Sequence, residues 1–178
     1  MKIFARVLKF VLLIAVLASC TMNVKPNMDD TSQLPDGKGV LVARLAVPYL
    51  LKPGLPTSVA LLNINNGSGV NIRLSSAETY LAIPLPAGSY RWNNLSVGSY
   101  GAHISSKQFE IDAGKINYVG DIILLMEGTN NPRTSSIATY RANFKIYDYH
   151  KHILPVLAAA YPKLWSNYPV VINLPAAY

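Results

Sequence analysis

Three hydropathy patterns follow one another along the chain. Phe10 to Ala18 is an unbroken apolar run, FVLLIAVLA. Residues 21–37, TMNVKPNMDDTSQLPDG, are polar, rich in turn formers and without period. From Lys38 the apolar residues gather in short runs separated by Gly, Pro and Asn, the pattern of successive strands. GVLVARLAV (39–47) and TSVALLNI (57–64) are apolar and β-branched. In VNIRLS (70–75), Val70, Ile72 and Leu74 alternate with Asn71, Arg73 and Ser75. Further runs are TYLAI (79–83), SYRWNNLSV (89–97), KQFEI (107–111), INYVGDIILL (116–125) and ATYRANFKI (138–146). The NNGSG loop (65–69) and the DAGK turn (112–115) each predict a hairpin between their flanking runs. After residue 147 the spacing changes. Ile153, Leu154, Leu157, Ala158, Tyr161 and Leu164 recur at helical period. Pro155 suits a helix start or kink, and Pro162 a helix end. PVVINL (169–174) can add one edge strand. Close-spaced short strands favour a sandwich or barrel.

The amino-terminal run is too short to span a bilayer, which takes about 20 apolar residues. Lys2, Arg6 and Lys9 precede it, Lys9 blocking any backward extension, and small residues end it. Charged, apolar and small segments in that order read as an export signal. Leu17-Ala18-Ser19-Cys20 resembles the lipobox of bacterial lipoproteins. The resemblance implies lipid on the Cys20 sulfur, cleavage after residue 19 and a further acyl (palmitate) chain on the new amino terminus. Two or more chains anchor firmly where one does not. In Gram-negative lipoproteins an Asp after the cysteine is the usual inner-membrane retention signal, and here Thr21 stands there. The implied address is the inner leaflet of the outer membrane, facing the periplasm, where the host has one. Three segments are therefore expected: 1–19 as cleaved signal peptide, 20–37 as lipidated cysteine and flexible tether, and 38–178 as a β-sandwich domain with a C-terminal helical segment.

Composition narrows the chemistry. Cys20 is the only cysteine, so its acylation would leave no thiol for disulfides, thiolate metal sites or catalysis. Losing Lys2, Arg6 and Lys9 with the signal lowers the formal charge from +7 to +4. The remaining basic residues are scattered singly, with no stripe suited to nucleic acid.

LPAGSYRW (85–92) and FEIDAGKINYVGDI (109–122) bear on the fold together. A Pro-x-Gly-x-Tyr turn entering a strand, then strand, Ala-Gly-Lys turn and strand with Tyr118 and Gly120, resembles the prealbumin-like (transthyretin or carboxypeptidase-regulatory-like) sandwiches of bacterial lipoproteins of unknown function. Tyr161-Pro162 in a closing helix is similar too. The resemblance covers roughly residues 39–165. It implies a mainly β fold: an antiparallel Ig/prealbumin-like β-sandwich of about seven strands with one short C-terminal helix. It carries no settled activity, and a fold alone licenses none.

Candidate chemistry is sparse. Glu110 and Asp112 share a strand face but abut a turn, where solvated carboxylates are ordinary. Asp148, His150 and His152 form D-x-H-x-H, which on a strand would put three ligands on one side. His150 and His152 are the metal candidates, with Asp148 as a helix N-cap the plain alternative. There is no H-E-x-x-H, G-x-S-x-G or phosphate-loop pattern. Among the mid-chain aromatics, Tyr90, Trp92 and Tyr100 are candidate ligand-stacking residues, against a role as sandwich core. No cofactor is expected. The functional expectation is a non-enzymatic, membrane-anchored binding or assembly module of the cell envelope. Its partners would be membrane lipid through acylated Cys20 and an envelope protein or glycan, with no nucleic acid. The alternatives are an envelope-polymer hydrolase or metal-dependent enzyme using His150 and His152, and a glycan-binding module using exposed aromatics.

Overall fold

The computed structural model describes residues 21–31, 33–48, 56–98, 100–104, 106–129 and 139–175. Residues 1–20, with the expected signal peptide and Cys20, lie outside these residues. The elements in chain order are β1 (Thr21–Val24), β2 (Lys38–Ala46), β3 (Thr57–Asn63), β4 (Gly69–Leu74), β5 (Glu78–Pro86), β6 (Gly88–Val97) and β7 (Tyr100–His103). Then come β8 (Phe109–Ile111), β9 (Ile116–Thr129), β10 (Thr139–Tyr147), α1 (His150–Ala160), α2 (Pro162–Asn167) and β11 (Val170–Ile172). They build two sheets. One runs β1-β4-β3-β6-β7, with β8 also paired to β6. The other runs β10-β9-β2-β5, with β11 also paired to β9.

The fold is mainly β and sandwich-like, as the strand pattern predicts, but it differs from about seven antiparallel strands with one helix. Eleven strands and two helices are found among the described residues. The pairs β1–β4, β2–β9 and β11–β9 are parallel. The apolar run in β2 explains much of this. Leu41, Ala43 and Leu45 face the other sheet, while Val40 and Val42 face α1 and α2. A strand buried on both faces reads as an uninterrupted apolar run and suits the middle of a mixed sheet. The second sheet is thus the centre of three layers, with the helices outside it.

The hairpin expected around NNGSG is present, with Thr57 opposite Leu74. The hairpin expected around DAGK is not. β8 pairs with β6 in the first sheet, and β9 joins the second. The turn is a crossover between layers, held by Asn117. This fully buried side chain donates to the carbonyls of Val40, Asp112 and Lys115. Its oxygen accepts from the Asp112 amide at 2.9 Å and from Asn173 Nδ2 at 2.9 Å. Gly39 makes the close approach feasible, since a Cβ there would lie 2.1 Å from the Asp112 carbonyl oxygen. Asp112 itself pairs with Lys115 at 3.0 Å at the exposed tip.

The segment expected to be a tether is laid against the domain from Thr21 onward. β1 pairs residue for residue with β4. The chain then crosses to the second sheet, where Ala82 donates to the Pro26 carbonyl and accepts from the Met28 amide. Both Asp30 oxygens accept from the first turn of α2, at Lys163 N and Leu164 N. The Leu34 amide donates to the Tyr168 hydroxyl at 2.7 Å. Met28 and Leu34 pack on the helix-side cluster. Polar composition misleads here because the segment is ordered by backbone and capping bonds, with few apolar anchors.

α1 starts five residues before Pro155, which sits inside it on the exposed side. Ile153 and Leu157 are its buried residues. Tyr161 caps its end, and Pro162 opens α2, where a missing N–H costs nothing. Among the described residues no helix is long and apolar enough to cross a membrane.

Candidate functional site

Tyr90 and Trp92 do not form a ligand platform. They are 1% and 0% exposed, on the inward face of β6. The Trp92 ring lies 6.0 Å from that of Phe109 and 6.4 Å from that of Phe144. The Tyr90 hydroxyl donates to the Pro86 carbonyl at 2.9 Å, and burial pushes its pKa up. Sandwich packing claims them because they alternate inward between two sheets with apolar faces. Tyr100 lies in β7, but its side chain is outside the described part of the structure.

An exposed aromatic and charged surface lies elsewhere, on the outer face of the second sheet beyond α1. Cross-strand register places Tyr147, Asp121, Arg44 and Tyr80 in one row across β10, β9, β2 and β5. A bulge makes the row. Between Tyr118 and Asp121, two residues of β9 face the single Ala43 of β2, so side-chain direction flips. Gly120 takes up the bulge at φ +114°, and a Cβ there would meet Ile146 at 2.5 Å. Val119 faces inward by ordinary alternation, and the flip after it turns Ile122 and Leu124 inward and brings Asp121 onto the face of Tyr118.

Asp121 is fully buried, and Arg44 meets it with a two-pronged contact. Nε donates to Oδ1 and an Nη donates to Oδ2, each at 2.7 Å. The other Nη donates to Glu78 Oε1 at 3.2 Å. The Asp121 carboxylate holds the Arg44 guanidinium far above its ordinary pKa, against the opposing effect of burial. This fork geometry is the strong form of ion pair.

Beside the row, Tyr118 links sheet to helix. Its hydroxyl accepts from the Tyr149 amide at 3.1 Å, just before α1. Burial, opposed by that bond, pushes its pKa up to about 12. The unfolded chain ionises such a phenol near its ordinary pKa of 10. Above pH 10 the native state therefore holds a proton that the unfolded chain has lost. Stability from this group is complete below pH 10 and is lost as pH rises towards 12. An ultraviolet phenolate titration is expected to show a late-ionising fraction that loses one tyrosine's share in Tyr118→Phe. A titration unchanged by that substitution would contradict the assignment.

Tyr147 and Tyr149 are 38% and 47% exposed, and their rings stack with centroids 5.8 Å apart. The ring of His152 meets Tyr149 edge-on at 6.3 Å. His150 meets the Tyr118 ring edge-on at 6.3 Å and holds Asp148 at 2.6 Å. That bond lowers the Asp148 pKa. Asp148 also accepts from the His150 amide at 3.3 Å, so it acts as a helix-start acceptor one residue ahead of the N-cap, Tyr149.

His150 and His152 do not converge as a metal pair. Both sit in the first turn of α1, where residues two apart point to different sides. No group of three or more His, Cys, Asp or Glu among the described residues could hold a metal ion. The D-x-H-x-H spacing suggests ligands only if the segment is a strand.

The sequence carried a usable signal for the site. Arg44 is the one charge inside the apolar run of β2, and Asp121 the one inside INYVGDIILL. Two lone opposite charges in buried strands call for each other, because neither is stable there alone. The tyrosines of YDYHKH (147–152) carried no comparable signal. Fold and surface define a mainly β, two-sheet sandwich with an ion-paired, tyrosine-lined outer face. The chain matches no protein-family model and no curated protein.

Proposed function

We propose that this chain is a lipid-anchored protein of the cell envelope and that its prealbumin-like sandwich is a non-enzymatic binding or assembly module. The observation that carries the anchor is Leu17-Ala18-Ser19-Cys20 closing the apolar run that starts at Phe10, with Lys2, Arg6 and Lys9 ahead of it. With residues 1–19 removed and Cys20 acylated, the domain faces the periplasm from the inner leaflet of the outer membrane in a Gram-negative host. The binding role is supported by exposed tyrosines beside fixed charges, a surface suited to recognition. Mild crosslinking in native membranes followed by copurification tests the module reading. A reproducible envelope protein or glycan partner is expected, lost on changing Tyr147 and Tyr149 together to Ala. Recovery of the chain alone would remove the basis for it.

A glycan-binding reading is favoured by one observation, the exposed Tyr147–Tyr149 stack around Asp148, in a row that continues through Asp121 to Arg44. Flat apolar rings bordered by fixed donors and acceptors suit a sugar ring with an apolar face and a hydroxyl rim. Calorimetry with soluble peptidoglycan fragments is expected to show binding that weakens at least about tenfold, or ~1.4 kcal/mol, in Tyr149→Ala. The same substitution is expected to leave the urea midpoint nearly unchanged, because this side chain is half exposed.

A further inference from the structure

Resting on the reading of Cys20 as acylated, we infer that the protein has no leash and stands end-on at the bilayer, with one end of the sandwich as its membrane-contact surface. The register fixes which end. Thr21, the residue bonded to Cys20, is already paired with Gly69 at the start of β4. A lipid on Cys20 therefore lies one residue from the edge of the first sheet, which leaves a few ångströms of chain.

Several turns meet at this same end. Asn63 is opposite Tyr90, and Gly88 is opposite Ile111, which brings the 64–68 turn beside the ends of β6 and β8. Lys38 is opposite Pro86, the Ala87 amide donates to the Gly37 carbonyl, and the Gly114 amide donates to the Lys38 carbonyl. The turns 36–38 and 112–115 thus share the end with Thr21. Its chemistry fits a lipid interface. Met22 and Ile64 are two of the few large apolar side chains left exposed among the described residues, at 49% and 36%. The charges of the two turns balance, Asp36 and Asp112 against Lys38 and Lys115, and Asp112 pairs with Lys115. Attachment then depends on acyl chains and apolar contact, with little contribution from anionic lipid.

The opposite end carries Arg44 and Glu78, since β2 runs from Lys38 to Ala46 and Ala46 faces Glu78. Arg44 lies six residue steps along β2 from Lys38, about 20 Å at the usual rise. The charged, tyrosine-lined face is thereby presented away from the membrane at a fixed height. A flexible tether would leave it tumbling.

The test uses the full-length chain expressed in a lipoprotein-processing host, purified and reconstituted in phosphatidylcholine vesicles. Acylation occupies Cys20, the only native cysteine, so Asn66→Cys and Glu78→Cys each give a single site for a fluorophore. Quenching by lipids with nitroxide headgroups is expected to be at least threefold stronger at position 66 than at 78. It should be insensitive to salt and to added anionic lipid. Equal quenching at the two positions, or stronger quenching at 78, overturns the end-on arrangement while leaving the anchor intact. An intact mass without acyl chains at Cys20 would instead overturn the anchor, and the orientation with it.

Discussion

Arg44→Ala is expected to destabilise the domain by about 3 kcal/mol, the lower end of the range for breaking a buried ion pair. The substitution leaves Asp121 fully buried in the second sheet without its counter-charge. The lower end applies because Arg44 keeps part of its side chain in water. Urea unfolding read by circular dichroism measures the change, with the slope unaltered. The double substitution Arg44→Met with Asp121→Leu is expected to recover most of the loss. An apolar pair of similar volume has no charge to desolvate. Glu78→Gln is expected to change stability by less than about 1 kcal/mol, since that carboxylate is half exposed. A large loss at Glu78 with none at Arg44 would place the stabilising pair elsewhere.

Trp92→Ala is expected to cost about 3–5 kcal/mol, the usual range for truncating a buried aromatic core residue. Trp92 is fully buried between the sheets against Phe109 and Phe144. Trp92→Phe is expected to cost less than about 2 kcal/mol. It keeps the aromatic contact and removes an indole N–H that has no hydrogen-bond partner among the described residues. In a Trp165→Phe background, emission from Trp92 should be blue-shifted and shielded from iodide. Ready quenching by iodide would return Trp92 to the list of surface candidates.

The strand pattern made the mainly β, two-sheet class legible, because alternation and β-branched runs report burial directly. It did not reveal which strands pair. KQFEI and INYVGDIILL flank a turn as hairpin strands do, yet they enter different sheets. The deciding contacts are made by Gly39 and Asn117, whose partners are far apart in sequence. The parallel pairing of β2 with β9 has the same character. Residues 21–37 carried no period, since a four-residue strand, a bridge, a helix cap and the Leu34–Tyr168 bond order them. The site was half legible. Lone opposite charges in two buried strands foreshadow the Arg44–Asp121 pair. The bulge at Gly120 that aims Asp121 outward is a backbone event without a pattern of its own. Aromatic content alone pointed to Tyr90 and Trp92, where large rings pack a core. The exposed pair, Tyr147 and Tyr149, flanks the junction of a strand and a helix, and no periodicity spans that junction.

The anchor at Cys20 is the central proposal, and the amino-terminal peptide of the protein taken from native membranes tests it most directly. Its mass is expected to correspond to a chain starting at Cys20, with residues 1–19 absent and a diacylglyceryl group plus one further acyl chain attached. A peptide that retains residues 1–19, or one carrying a free Cys20 thiol, would contradict it.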